Sequence, residues 1–208
     1  MKAVGDYLYL KKIFVMKYKM HTIILLLISC FCFSQTLEKL KADTKKIYDA
    51  NYNMDFETIA NLTYPKIIAQ LGKEKFLEKL DSDYQNVAYR MRLQIVTPVF
   101  QFGETKKIEG KTYCVILYKN PVRYFYETKL DSNTSLVQAN KLREKDQTKD
   151  VTFELKRNSF NVRRISKLIA IADQTTGNDW KFFNLDDVIQ RQLFESLVED
   201  FVKKQLGL

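Results

Sequence analysis

Histidine, cysteine, glycine and proline are scarce in this 208-residue chain, which has one His, three Cys, six Gly and three Pro. The low glycine and proline contents exclude collagen-like and low-complexity architectures. Hydrophobic residues make up 46% of the chain and 27 residues are aromatic, so the composition also excludes general disorder. The length is that of one domain with a short extra element.

The N-terminal region has the pattern of an export signal. Lys17 and Lys19 precede an apolar run over residues 22–33, and small residues stand three and one positions before Gln35. A twelve-residue run fits the hydrophobic part of a secretory signal and is too short to span a bilayer. We therefore expect cleavage before Gln35.

Residues 1–34 are accordingly predicted to be a signal peptide with an upstream extension, and residues 35–208 a single mature domain without a transmembrane span. The expected location is periplasmic or extracellular. An alternative remains open, because Cys30 ends a sequence typical of bacterial lipoproteins and lipidation there would anchor the chain to a membrane.

The mature chain leaves few options for catalysis by metals or by histidine. The single histidine, His21, lies in the predicted leader, which excludes Ser-His-Asp, Cys-His and His-zinc sites from residues 35–208. Cys114 is the remaining cysteine and sits in an apolar run, so it predicts a buried side chain without a disulfide. Phosphate-loop and dinucleotide fingerprints are missing, and we expect no metal and no cofactor.

Helical periodicity dominates the first part of the mature chain. Apolar residues recur at helical spacing from Leu37, and Asp55 is placed to cap a second helix. Pro65 and Gly72 bracket a third, and a longer fourth pattern runs from Phe76 to residue 91. This part predicts four helices, or three with a kink.

The middle of the chain changes to strand periodicity. Residues rich in β-branched and aromatic side chains, separated by turn signals, predict strands over residues 92–102, 112–118, 122–129, 151–156, 162–172 and 179–183. Residues 130–150 are polar and are interpreted as a long hairpin loop or an extended edge. A C-terminal helix follows, capped by Asn184, whose wide apolar stripe is expected to pack on the protein's own sheet; a homodimer through this helix is a second hypothesis.

Basic residues are densest between residues 156 and 167, where Lys156, Arg157, Arg163, Arg164 and Lys167 lie close in sequence. The functional interpretation is an anionic partner, and the simpler one is a solvated sheet face. Export and the lack of an RNA-binding aromatic signature argue against nucleic acid, so the solvated face is preferred.

The strands carry more aromatic residues than an ordinary sheet needs. Such side chains fill a core or line a concave pocket, and the pocket hypothesis places a small apolar ligand against Tyr113, Tyr124, Tyr126 and Trp180. No catalytic residue is assigned. The alternative is a small-molecule enzyme that uses Asp, Glu or Tyr as acid and base.

Two stretches resemble uncharacterised secreted bacterial proteins of the nuclear-transport-factor-two-like (cystatin-like cone) superfamily. The first runs from Asp55 through Thr63-Tyr64-Pro65-Lys66 to Leu71-Gly72-Lys73-Glu74, and the second from Leu168 through Gly177-Asn178-Asp179-Trp180 to Phe183. Relatives often have His where this chain has Tyr64, so the His-Asp pairing of some members is not available here.

The resemblance implies an α+β fold in which N-terminal helices pack on a strongly curved, cone-like antiparallel sheet, with an added C-terminal helix. It implies a pocket but no activity, because this fold hosts isomerases, cyclases, dehydratases and non-catalytic binding modules. We therefore expect an exported binding or interaction module, whose ligand and oligomeric state the residues do not determine.

Overall fold

The structure is a computed structural model that describes residues 37–208. The predicted leader, the cleavage site before Gln35 and Cys30 lie outside the described residues. Contacts divide the chain into two units, Met1–Ala42 and Asp43–Leu208. Of the first unit, residues 37–42 are described; they are helical, and Lys41 forms a 2.7 Å ion pair with Glu38.

Four helices open the described chain, as the periodicity predicts. Their bounds are residues 37–53 (α1), Phe56–Leu62 (α2), Pro65–Leu71 (α3) and Lys73–Tyr84 (α4). The Asp55 carboxylate accepts the Thr58 amide at 3.1 Å and caps α2, which confirms its predicted role. Pro65 begins α3, and Gly72 ends it with a φ of +81°, a conformation that glycine adopts at low cost.

The fourth helix is shorter than its sequence pattern predicts. It ends at Tyr84, Val87 is fully exposed, and Met91 belongs to the first strand. Met91 is buried, but it is buried as a residue of strand β1. The helical spacing of apolar residues therefore continues past Tyr84 only by coincidence.

Within residues 37–208, nine strands form two antiparallel sheets. Their bounds are Tyr89–Leu93 (β1), Gln101–Phe102 (β2), Lys106–Ile108 (β3), Lys111–Lys119 (β4), Val122–Tyr126 (β5), Val151–Glu154 (β6), Ser159–Val162 (β7), Ile165–Ala172 (β8) and Lys181–Asn184 (β9). The first sheet has the order β1-β5-β7-β6; the second has β2-β4-β8-β9, with β3 also paired to β4. The α+β class and the antiparallel pairing are therefore confirmed.

One continuous antiparallel ribbon runs through both sheets. One of its two chains is formed by β4 and β5, and the other by β7 and β8. Lys119 pairs with Ile165 at the end of the second sheet, and Val122 pairs with Val162 at the start of the first, so the register does not shift between them. The Asn120 amide bridges the gap by donating to the Arg164 carbonyl at 3.0 Å. Strand β5 thus continues the direction of β4, and β7 and β8 pair with them along the whole length in one register.

The ribbon is interrupted at Pro121. Proline has no amide hydrogen, so it cannot donate a ladder hydrogen bond. Opposite Pro121, the Arg163 amide faces β6 and donates to the Asp150 carbonyl at 2.9 Å, which continues the β6–β7 register by one residue. The strands end on either side of residues 120–121 and 163–164, which leaves Asn120 and Arg164 at the junction of the two sheets.

Two predicted strand boundaries need correction. The expected strand over residues 92–102 divides into β1 and β2, because residues 95–100 leave the sheet and Ile95 and Val99 are largely exposed. Strand β7, Ser159–Val162, lies almost wholly before the predicted segment 162–172. It pairs with both β5 and β6 and is central in its sheet.

The prediction of a loop or extended edge over residues 130–150 is wrong. A 14-residue helix, Ser132–Lys145 (α5), begins at a capping box in which Asp131 accepts the Thr134 amide and its own amide donates to Thr134 Oγ1. The buried hydrophobic residues of this helix are Ala139 and Leu142. Its apolar stripe is therefore too narrow to show in the sequence periodicity, and the capping residues were the better signal.

The C-terminal helical region is two helices rather than one. They run over Val188–Leu197 (α6) and Asp200–Leu206 (α7), with Val198 extended between them. Asp187, not Asn184, caps α6 by accepting the Gln190 amide at 2.8 Å. The apolar stripe packs on the protein's own core, as predicted, through residues that include Leu193, Phe194, Val198 and Val202.

Within residues 37–208, each of the two sheets packs on a hydrophobic core. The larger core joins α2–α4, α6 and α7 to the second sheet, with Ile67, Phe183 and Phe194 almost fully buried. The smaller core joins α5 and Tyr84 to the first sheet around Phe160. Phe56 packs against both cores, next to the region where the ribbon passes between the sheets.

Candidate functional site

A cavity of about 230 Å³ lies where the helices meet the interrupted ribbon. Its walls come from the end of α1, from α2 and α4, from the ribbon on both sides of its break, and from the segment that joins β9 to α6. The polar and charged lining comprises Asn51, Thr63, Lys79, Asp83, Asn120, Lys145, Arg164, Asn184, Asp186, Asp187 and Gln190. The apolar and aromatic lining comprises Ile59, Leu80, Tyr84, Met91, Leu93, Tyr118, Tyr124, Leu168, Val188 and Ile189. We call this the ribbon cavity.

Arg164 is the central charge of the ribbon cavity. Its guanidinium bonds to the buried Asp146 carboxylate, and its Nε lies 3.8 Å from Oδ2 of Asp186. Burial disfavours the charged guanidinium, but Asp186 and Asp146 outweigh that effect and raise the pKa of Arg164. Arg164 is thus not part of a solvated basic face, which corrects that interpretation for this residue.

Asp186 also belongs to a chain of buried polar groups. Asn120 Nδ2 donates to Ser166 Oγ at 2.8 Å, and Ser166 Oγ donates to the Asp186 carboxylate. The Lys167 amide donates to the other Asp186 oxygen at 3.3 Å. These contacts fix the segment after β9 against the ribbon, because buried polar groups are stable only when they are hydrogen-bonded.

Lys79 provides a second ion-paired centre on the helical wall. Its ammonium group contacts both Asp83, one turn later on α4, and Asp187, the cap of α6. Burial lowers the pKa of Lys79, but the Asp187 and Asp83 carboxylates raise it by more, so the net shift is upward. Each charged group of this wall therefore has a partner within the cavity.

Tyrosines form the aromatic part of the lining. Burial raises the pKa values of Tyr84, Tyr118 and Tyr124, and the Asp146 carboxylate raises that of Tyr124 further. Tyr124 Oη donates to Asp146 at 3.1 Å, and Tyr84 Oη donates to the Asn51 carbonyl at 2.9 Å. These phenols stay protonated at neutral pH and act as hydrogen-bonding groups.

Of the four residues predicted to line a pocket, Tyr124 lines the ribbon cavity. Tyr113 is buried in the larger core, and its pKa is raised to about 12 by burial. Tyr126 packs on the smaller core, with its ring 5.6 Å from that of Phe160. Trp180 is also buried and does not line this cavity. The structure thus disperses the four residues, and ligand binding stays a prediction.

The charged lining is what the sequence analysis missed. Asp187 could have been recognised as a helix cap, since it precedes an apolar periodic run. Nothing local marks Lys79, whose partner Asp187 is 108 residues away. Arg164 appears in sequence as one of several neighbouring basic residues, and only the folded ribbon distinguishes it from the exposed Arg163.

The two stretches that carry the family resemblance contact each other. The Tyr64 hydroxyl donates to Oδ2 of Asp173 at 2.7 Å, and the Tyr64 amide donates to the Phe182 carbonyl at 2.9 Å. Burial opposes ionisation of the Asp173 carboxyl, but hydrogen bonds from Thr175, Tyr64 and Thr176 hold its pKa below the usual value. This pair lies outside the ribbon cavity and joins α3 to the end of β8.

Residues 37–208 contain no group of three or more His, Cys, Asp and Glu side chains that is suited to a metal ion. Over the same residues, no helix is both long enough and apolar enough to span a membrane.

By its fold, the chain is an α+β protein with two antiparallel sheets and a cavity beside the ribbon that joins them. No protein-family model and no curated protein sequence matches it significantly. Among solved structures, a conserved protein from Planctomyces limnophilus is similar over 69% of this chain and 87% of that chain, with 11% sequence identity and a TM-score of 0.37. A similarity at this level carries no argument about function.

Proposed function

We propose that this protein is an exported binding module whose ribbon cavity holds a small, electrically neutral molecule. The observation that carries this proposal is the internal pairing of charge: Lys79 with Asp83 and Asp187, and Arg164 with Asp146 and Asp186. The third cation of the lining, Lys145, has no carboxylate partner within residues 37–208; it donates to the Tyr89 hydroxyl at 3.0 Å and lies over the Tyr89 and Tyr124 rings. An ion entering beside Lys79 or Arg164 would have to compete with their pairs, whereas a neutral polar molecule would not. The purely apolar ligand of the sequence analysis is thereby replaced by one with hydrogen-bonding groups.

Size and lining narrow the ligand class. The volume of about 230 Å³ is below the roughly 300–1,000 Å³ of sites for drug-sized molecules, so the ligand is small. Leu80, Leu168 and Ile189 would contact its apolar part. The amide side chains of Asn184 and Gln190 and the tyrosine hydroxyls supply donors and acceptors for its polar groups.

Membership in the nuclear-transport-factor-two-like superfamily, with a cone-like sheet, is part of this proposal. Its support is the continuous ribbon through both sheets and the direct contact between Tyr64 and Asp173. A cavity between helices and a bent antiparallel ribbon is the arrangement that the resemblance implies. The alternative, acid–base catalysis, would use Asp83, Asp186 or Asp187, and we favour binding because each of these carboxylates already holds a cation.

Native mass spectrometry tests this proposal directly. The protein, exported with its own leader and purified gently, is expected to carry extra mass that is lost on denaturation. Val188 lines the cavity and is 45% exposed, so Val188→Trp would narrow the entrance and remove the extra mass. The matched control is Val137→Trp, an exposed helical valine on α5 that does not line the cavity.

Retention of the bound mass in Val188→Trp would place the ligand elsewhere. A wild-type protein without extra mass, which also gains none from an extract of the host's small molecules, would contradict the binding function. The same spectra report the oligomeric state and thereby test the homodimer hypothesis.

A further inference from the structure

A second cavity, of about 260 Å³, shares Lys145 and Asp186 with the ribbon cavity. We propose that it binds an anionic group, a phosphate or a carboxylate, carried by a small organic molecule. It lies between the end of α5, the start of β8 and the first turns of α6. We call it the basic cavity, and its proposed role does not depend on what the ribbon cavity binds.

Three cations of the basic cavity have no acidic partner. Throughout residues 37–208, no carboxylate lies within ion-pair distance of Lys145, Lys167 or Arg191, all of which line this cavity. Lys145 Nζ instead donates to the Tyr89 hydroxyl at 3.0 Å and lies over the Tyr89 and Tyr124 rings. Arg191 donates through Nη1 to the Leu185 carbonyl at 3.1 Å.

The acidic residues of the same lining are partly compensated by cations that do not line it. Asp146 and Asp186 share the single charge of Arg164, and Glu195 shares Lys203 with Asp200. Each of these two groups keeps one negative charge, so the three unpaired cations leave the surrounding side chains with an excess of one positive charge. The unpaired cations are the groups that remain free to form charge-assisted hydrogen bonds with an anion.

The apolar lining explains why an organic anion fits better than a free ion. Ile165, Leu185 and Phe194 lie on the same walls as the cations. An anionic head placed between Lys167 and Arg191 would let a short apolar body cover these side chains. Binding would then combine charge-assisted hydrogen bonds with burial of apolar surface.

A titration of the full exported chain with phenyl phosphate, inorganic phosphate and benzyl alcohol tests this assignment. Phenyl phosphate is expected to bind saturably and to shift the amide NMR signals of Lys167 and Arg191, and benzyl alcohol to do neither. Binding of phenyl phosphate more tightly than inorganic phosphate would identify an organic anion as the ligand. Equal binding would identify the free anion, and both results support an anion site.

The double variant Lys167→Gln/Arg191→Gln is expected to weaken phenyl phosphate binding about tenfold or more, because two charge-assisted contacts are lost. The matched control, Lys107→Gln/Lys156→Gln, makes the same change in net charge at exposed lysines that do not line the cavity and should bind as the wild type does. If both double variants bound phenyl phosphate equally weakly, the cause would be net charge and the proposed site would be wrong. Unchanged binding in Lys167→Gln/Arg191→Gln would also overturn the site.

If Lys167→Gln/Arg191→Gln does not fold, the NMR titration of the wild type still decides. Amide signals that shift elsewhere than at Lys167 and Arg191 would overturn the site.

Discussion

The two cavities share Lys145 and Asp186, and the cations that they do not share differ in whether they are paired. In the ribbon cavity, Lys79 and Arg164 are each held by two carboxylates. In the basic cavity, Lys167 and Arg191 have no such partner within residues 37–208. Paired charges stabilise the fold, whereas unpaired charges remain available to a ligand. We therefore assign a structural role to Lys79 and Arg164 and a binding role to Lys167 and Arg191. The difference in pairing also predicts how strongly each cation contributes to stability.

The largest expected effect is at Arg164. Replacing it with leucine leaves Asp146 buried without its cation, which should lower the free energy of unfolding by about 3–5 kcal/mol. Arg163→Leu is the matched control, since its side chain is 78% exposed and pairs with Asp150 at the surface; we expect a change within about 0.5 kcal/mol. Urea denaturation of both variants measures the difference. Similar losses in the two would show that the Arg164 pairs do not stabilise the ribbon break.

A smaller loss of stability is expected at Asp187, which caps α6 and also forms an ion pair with Lys79 of the ribbon cavity. Asp187→Ala removes the cap of α6 and one partner of Lys79, and should cost about 2 kcal/mol. Asp131→Ala removes the cap of α5, which pairs with no cation among residues 37–208, and should cost clearly less than Asp187→Ala. Equal values for the two helix caps would mean that the Lys79 contact adds nothing to stability, contrary to the proposed contrast.

Asp173 extends the comparison to a buried carboxylate outside both cavities. Its pKa is lowered in the folded state, so its contribution is present above its ordinary pKa of 3.8 and is lost as the pH falls through the folded value. Asp173→Asn should be less stable than the wild type by about 1 kcal/mol at pH 6, with a smaller difference at pH 3. Denaturation midpoints at the two pH values check this. A difference that grows toward pH 3 would reverse the assigned direction.

The smallest effect is expected for the basic cavity. Without ligand, Lys167→Gln/Arg191→Gln should lower the free energy of unfolding by about 0.5 kcal/mol, because within residues 37–208 neither side chain has an ion pair to lose and Arg191 loses one hydrogen bond to the Leu185 carbonyl. In the presence of phenyl phosphate, the wild type should gain stability and the variant should not, since only binding to the folded state stabilises it. A large loss without ligand would assign these cations a structural role.

Much of the local structure could be predicted from residue patterns. Asp55, Pro65 and Gly72 marked helix ends because capping and φ preferences act within one turn of the chain. Helix α5 was missed because its buried side chains are few, so its position depends on the capping box and on packing against β6. The break in the C-terminal helix was missed because the apolar stripe continues across Val198, which is itself buried in the core.

The candidate site was far less predictable. Aromatic density indicated a pocket, but three of the four chosen residues fill cores, and Tyr124 lines the cavity. Whether an aromatic ring faces a cavity or a core depends on its side of the ribbon and on what packs there. No pattern of one-dimensional spacing contains that information.

By itself, the sequence determined the α+β composition, the starts of α2 and α3 and the burial of Cys114, and it excluded histidine chemistry from residues 35–208. Only the tertiary structure decided which charges meet. Lys79 reaches Asp187 across 108 residues, and Tyr64 reaches Asp173 across 109. Propensity, capping and periodicity act over a few neighbouring residues, whereas an ion pair depends on the register of a ribbon and the packing of helices against it. Arg163 and Arg164 are chemically identical neighbours, but successive residues of an extended chain face opposite sides, which makes one a surface residue and the other the centre of a cavity.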